Sequence, residues 1–181
     1  MVRIVAQLSG WYSARCEGIP NECNDGFPHP RNCSRCICPS GYGGQFCNER
    51  PPGCGQELEA TRDWSFVRSD PHNMTAGQQN GYKSCVYWIK APNNTKIEVE
   101  IENFPDGVAV DGCIYAGVEI KTKQDQRLTG YRFCSRDDIG IVLTSDVHTV
   151  PVLTYMRRRR NITDIVLGYR YVPLDGAKVE N

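Results

Sequence analysis

Six of the ten cysteines fall within the 32 residues from Cys16 to Cys47, a segment too short to hold a fold together by apolar burial alone. Its large apolar side chains are few: Ile19, Phe27, Ile37, Tyr42 and Phe46. The other four cysteines, Cys54, Cys85, Cys113 and Cys134, are spread over the rest of the chain. The density changes at "NERPPG", where Pro51 and Pro52 stiffen a short connection. The organisation read from this is a linker or truncated upstream segment over 1–15, a cysteine-rich domain over 16–47, and a Pro-rich linker over 48–53. A larger domain over 54–172 and a tail over 173–181 complete it.

Three chemistries compete for the cysteine-rich segment. A zinc site would use Cys33, Cys36, Cys38 and Cys47 as tetrahedral thiolates, and a redox centre would use the Cys33-x-x-Cys36 pair. Zinc sites of this sort usually repeat the Cys-x-x-Cys knuckle, and the redox pair sits between a strand and a helix. Neither context is present. Disulfides account for every cysteine, although six cysteines alone permit 15 pairings.

Oxidised cysteines belong to the secretory pathway, and four Asn-x-Ser/Thr sequons point the same way, at Asn32, Asn73, Asn93 and Asn161. The first residues, "MVRIVAQLSGW", do not make a signal peptide, because Arg3, Gln7 and Ser9 interrupt the apolar run. The simplest expectation is that Met1 is not the true start and that the chain is the C-terminal part of something longer. No apolar run approaches the roughly 20 residues of a membrane-spanning helix. Lys plus Arg and Asp plus Glu are equal at 21 each, which gives no reason to expect a nucleic-acid partner or an anionic membrane.

The larger domain reads as strands. In "KIEVEIENF", Ile97, Val99 and Ile101 alternate with Glu98, Glu100 and Glu102, the period of a strand with one buried and one wet face. "GVEIKTK" repeats the pattern, with Val118 and Ile120 against Glu119, Lys121 and Lys123. "KSCVYWIKA", "TGYRFC", "GIVLTS", "VPVLTYM" and "DIVLGYRYV" are further candidates, separated by turn clusters such as "APNN", "FPDG" and "SRDD". No helical period exceeds two turns. The expected fold class is mainly β, an antiparallel sandwich preceded by a small disulfide-rich domain.

Two resemblances refine this. Cys36-x-Cys38 followed by Gly41, Tyr42, Gly44 and Cys47 resembles the EGF-like signature. That resemblance implies first-with-third, second-with-fourth and fifth-with-sixth pairing, joining Cys16 to Cys33, Cys23 to Cys36 and Cys38 to Cys47. "CGQELEA" from Cys54, "CVYWIKAP" from Cys85, "IEVEIENF", "CIY" from Cys113 and "FC" at 133 and 134 resemble a CUB domain. It implies Cys54 with Cys85 and Cys113 with Cys134. Many CUB domains bind calcium through acidic residues, one of them directly after Cys-x-Tyr and another in a late Ser-Asp turn. Here Ala116 follows Tyr115 and the late turn is "MRRRRN", so the expectation is a domain that binds no calcium.

The order EGF-like then CUB, with "FPHPRNCSRCICPSGYGG" and "GCGQELEA", resembles the C-terminal half of nematode astacin-type zinc metalloproteinases. Their zinc signature, His-Glu-x-x-His, has no counterpart, and the only histidines are His29, His72 and His148. The expectation is therefore a chain that is not itself an enzyme and holds no cofactor, with zinc entering only if a catalytic domain lies upstream.

Residues outside these frameworks have competing roles. Arg157, Arg158, Arg159 and Arg160 form either a solvated hairpin tip, a polyanion site or a basic cleavage site. Glu98, Glu100 and Glu102 read as a wet strand face, paired with Lys121 and Lys123 across the sheet. Neighbours on a strand take opposite faces, which points Tyr87 inward with Cys85 and Ile89 and Trp88 outward or to a domain contact. An exposed Trp88 would be a contact residue. The functional expectation is a secreted, non-catalytic module pair that binds an extracellular protein or glycan, the targeting or regulatory region of an astacin-type metalloendopeptidase. Its rival is an independent secreted adhesion or signalling protein with the same modules.

Overall fold

The computed structural model of the chain describes residues 22–69, 75–76, 81–157 and 165–174. The chain divides into two compact units between Pro51 and Pro52.

In the first unit, β1 (Phe27–His29) and β2 (Asn32–Ile37) form an antiparallel hairpin in which Phe27 faces Ile37 and Pro28 faces Cys36. Cys23 bonds Cys36 and Cys38 bonds Cys47. Cys33 is also disulfide-bonded, and Cys16, its expected partner, lies outside the described residues. The sulfurs occupy the space that a core would fill. Cys23 and Cys47 are buried, and a Cβ on Gly26 would meet both Cys47 Sγ and the Ile37 carbonyl at 2.6 Å. Tyr42 is half-buried, and desolvation together with the nearby Asp25 charge holds its hydroxyl proton well above the usual tyrosine range.

The second unit has two sheets. One holds β10 (Val142–Thr144), β7 (Thr95–Asn103), β12 (Val166–Pro173) and β4 (Ser65–Arg68), in that order. The other runs β3 (Glu57–Glu59), β6 (Tyr82–Lys90), β11 (Thr149–Arg157), β8 (Ala116–Ile120) and β9 (Tyr131–Phe133), with β5 (Thr75–Ala76) also on β6. Every pairing is antiparallel except β3 with β6. The described residues contain no α-helix, only 3-10 turns at Asp111–Cys113 and Arg136–Asp138. Ser135 caps the second, accepting from Asp137 N–H while the Asp138 carboxylate accepts from Ser135 N–H.

The period-2 reading places the core correctly. Ile97, Val99 and Ile101 of β7 face Cys85, Tyr87 and Ile89 of β6, Val118 and Ile120 of β8, and Val150 and Val152 of β11 in one buried cluster. Cys54–Cys85 and Cys113–Cys134 brace it. A buried polar pair, Ser69 Oγ donating to Thr154 Oγ1 at 2.9 Å, satisfies both hydroxyls inside.

The expected ion pairs of the β7 glutamates are not those observed. β7 and β8 lie in different sheets, so Lys121 and Lys123 are not its cross-strand neighbours. The register instead sets Arg170 of β12 opposite Glu98, and Arg170 Nε donates to Glu98 Oε2 at 2.7 Å. Lys123 pairs with Asp146. The expected wet face of "GVEIKTK" is also corrected: Glu119 is buried on β8, an interior strand of its sheet, and Lys121, just after that strand, is buried with its Nζ donating to the Gln126 carbonyl at 2.6 Å.

Gly55 fixes how the second unit begins. It adopts φ +99°, and a Cβ there would lie 1.9 Å from the Val86 carbonyl oxygen, beside Cys54–Cys85. The contact is with backbone and cannot swing away. Gly55→Ala is expected to cost at least about 2 kcal/mol of stability. Chemical denaturation followed by tryptophan fluorescence measures it, and an unchanged midpoint would count against this account of the strand entry.

Candidate functional site

The outer face of the six-stranded sheet collects the chemistry. Strand alternation sends Tyr82, Ser84, Val86, Trp88 and Lys90 of β6 away from the core, with Pro151, Leu153, Tyr155 and Arg157 of β11 beside them. The register sets these out in rungs. Arg157 faces Tyr82 on one side, and on the other its N–H donates to the Tyr115 carbonyl at 2.9 Å. Tyr155 faces Ser84 and Gly117. Trp88 lies between Glu57 and Pro151.

At one end, guanidinium groups and tyrosine rings alternate. Arg157 Cζ lies 5.9 Å from the Tyr82 ring centroid and 5.6 Å from that of Tyr115. Tyr82 meets Tyr155 edge to face at 6.1 Å, and Arg132 of β9 lies 6.0 Å over the Tyr155 ring. Each geometry is the attractive one for a quadrupolar ring. The hydroxyls are anchored to the disulfide-closed loop, Tyr82 Oη donating to the Ile114 carbonyl at 2.6 Å and Tyr155 Oη to the Cys113 carbonyl at 3.2 Å.

Gly117 makes this row continuous. A Cβ there would stand 2.7 Å from Tyr155 Oη, so only glycine lets that ring cross β8 towards β9. Arg132 is positioned by Glu119, which accepts from Arg132 Nε at 2.9 Å and from Gly130 N–H at 3.0 Å. Burial pushes the Tyr155 hydroxyl proton above its ordinary range; the Arg132 charge opposes this and the Glu119 charge adds to it.

The residues singled out from sequence fall as follows. Trp88 faces away from the core, but it is buried rather than exposed, flanked by strand neighbours and with Lys90 Nζ 5.5 Å from its ring. It is therefore not an exposed contact residue. Arg157 is exposed; Arg158, Arg159 and Arg160 lie outside the described residues. Asn32 and Asn93 are exposed, and Ser34 Oγ of the first sequon donates to Asn32 Oδ1 at 2.7 Å; Asn73 and Asn161 lie outside the described residues. His29 is on β1, His148 precedes β11, and His72 lies outside the described residues.

Tyr82, Tyr115, Tyr155, Arg132 and Gly117 were not recognised from sequence as one site. They are dispersed over 74 residues, from 82 to 155, and no local spacing connects them. The available signal was phase for Tyr82, Arg132 and Tyr155, which take outward positions on their strands; Tyr115 stands in the loop just before β8.

The residue after Tyr115 is Ala116, fully buried, and the group over the Tyr115 ring is the Arg157 guanidinium. Among the described residues, no three of His, Cys, Asp and Glu gather into a metal-holding group.

The fold and its bridges define a mainly β, disulfide-braced two-sheet domain following a small cystine-rich unit. No protein-family model matches the chain. It is similar to the CUB1-EGF-CUB2 domains of rat MASP-1, with TM-score 0.48 and 16% identity over 87% of this chain and 55% of that one. Its sequence relatives include the zinc metalloproteinase nas-31 of Caenorhabditis elegans, 44% identical over 160 residues, or 88% of this chain and 25% of that protein. Zinc metalloproteinase nas-32 of the same organism is 34% identical over 91% of this chain and 26% of its own length. The chain's homologues are thus nematode zinc metalloproteinases of the astacin type, and it spans about a quarter of the length of these two.

The tyrosine row carries a measurable pH signature. Tyr155 has a raised pKa in the folded state, so above pH 10 the unfolded chain loses a proton that the folded one keeps. Stability is fully present below pH 10 and falls as pH rises beyond it. Tyr155→Phe is expected to lessen that fall and, through loss of the Cys113 hydrogen bond, to cost about 1 kcal/mol at neutral pH. Denaturation midpoints at several pH values test both, and an identical alkaline slope in wild type and variant would contradict the assignment.

Proposed function

We propose that this chain is a non-catalytic, extracellular ancillary region of an astacin-type zinc metalloproteinase, with an EGF-like unit followed by a CUB domain. Its role is to bind a protein or glycan and so to direct the protease to its substrate or regulate it. The observation that carries this reading is the match to nas-31, with 44% identity over almost the whole chain but only a quarter of that protein. The remaining length of such a relative would supply the zinc and its ligands, so this chain is proposed to hold no cofactor of its own.

The other features support the same reading. Bonded cysteines and exposed sequons at Asn32 and Asn93 suit a secreted glycoprotein. The six-cysteine unit is proposed to pair in the EGF-like manner, with Cys16 joined to Cys33. Among the described residues no helix is long and apolar enough to cross a membrane. Binding on the outer face of a rigid sheet also suits an ancillary module, because ordered strands hold contact residues at low entropic cost.

The test compares a full-length parent protease with a form lacking these 181 residues. The expected result is an unchanged kcat/KM on a short peptide and at least a fivefold loss on a macromolecular extracellular substrate. Equal losses on both would make the region a structural part of the catalytic unit. Peptide hydrolysis by the isolated 181-residue chain would overturn the non-catalytic reading outright.

A further inference from the structure

We infer that Arg157, held between Tyr82 and Tyr115, is the anion-binding centre of a site for an acidic saccharide, one bearing a sulfate ester or a carboxylate. This rests on the binding-module reading above and gives it a ligand class and a place.

The first support is the state of the guanidinium. Arg127, Arg132, Arg136 and Arg170 each meet a carboxylate within 2.9 Å. Arg157 is exposed, lies over two tyrosine rings, and has no carboxylate partner among the described residues. A ring attracts the charge without replacing an oxygen acceptor for the guanidinium fork, and that fork matches two oxygens of one sulfate or carboxylate.

The second support is preorganisation. The Arg157 main chain is tied to Tyr115, the Tyr82 hydroxyl is tied to Ile114, and the Cys113–Cys134 bridge closes the loop that carries both acceptors. A long side chain normally loses rotamer freedom when it binds; here the rings have already restricted it.

The third support is the class of ligand. Arg157 sits at a rung where β11 has β6 on one side and the residue leading into β8 on the other, so its strand has no open edge there. An extended acidic peptide would find no backbone ladder to join. Three adjacent strands span about 10 Å, the width of one or two sugar rings, and tyrosine faces beside a fork suit a flat pyranose carrying an oxyanion. The site does not require Arg158, Arg159 or Arg160, which separates it from general attraction to a basic run.

The test uses the full 181-residue chain and three probes, a heparin-derived hexasaccharide, a neutral dextran hexamer and poly-glutamate, at physiological salt. Wild type is expected to bind the heparin hexasaccharide and not dextran, with poly-glutamate competing poorly. Arg157→Gln should weaken binding about tenfold or more, and Arg157→Lys should restore it only in part, since an ammonium lacks the fork. Joint replacement of Arg158, Arg159 and Arg160 by Ala should cost less than Arg157→Gln alone. Wild-type indifference to the hexasaccharide, Arg157→Gln binding like wild type, or equal competition by poly-glutamate would each overturn the inference. In the unmutated protein, titration with the hexasaccharide should shift the Arg157 Nε–H resonance; a shift confined to other arginines would overturn it without depending on any variant folding. Failure here leaves the protease comparison untouched, so the two readings fail separately.

Discussion

Each long strand in the second unit can give only one of its faces to the core, and that alternation governs the rest of the molecule. Cys85, Tyr87 and Ile89 enter the core from β6 while Tyr82, Ser84, Val86 and Trp88 are turned the other way. β8 and β11 obey the same rule in register, so their outward residues line up in rungs. The pairing of Tyr82 with Arg157 is a direct product of that register, and the loop closed by Cys113–Cys134 brings Tyr115 to the other side of Arg157. A one-residue slip would send Arg157 into the core and Met156 out of it.

Electrostatics then settles what the outward faces can hold. Glu119 is buried, and it is sustained by Arg132 and the Gly130 N–H; without them an unpaired buried carboxylate would cost several kcal/mol. Glu98 and Arg170 solve the same problem in the other sheet, where Arg170 also lies 4.5 Å over the Trp64 ring. Arg157 differs in resting on rings without a carboxylate partner among the described residues, so its charge is stabilised but not neutralised. That difference makes it the group suited to an external anion.

The first unit depends on covalent ties in place of burial. Its hairpin has only three and six residues per strand, and Phe27 and Ile37, opposite one another, remain exposed. Sulfur takes up the interior instead, and Gly26 has hydrogen in place of a side chain because Cys47 Sγ is already there. A chain built this way tolerates wide variation at exposed positions, while each cysteine and the tight glycines stay fixed by geometry.

Much of this was legible in the residues. Cysteine density located the change of architecture near Pro51, and the alternation in "KIEVEIENF" and "KSCVYWIKA" identified core positions, because burial of every second side chain is a local property of a strand. Partners across the sheet were not legible. Glu98 paired with Arg170 rather than with Lys121 or Lys123, and Trp88 was buried rather than exposed, since both outcomes depend on which strand lies alongside. The sequence by itself determined the strand character, the one-sided core and the reliance on cystine. Only the tertiary structure decided that Tyr82, Tyr115, Tyr155, Arg132 and Arg157 meet, because strand order and register join positions that no local period connects, and because Gly117 leaves the gap through which Tyr155 passes.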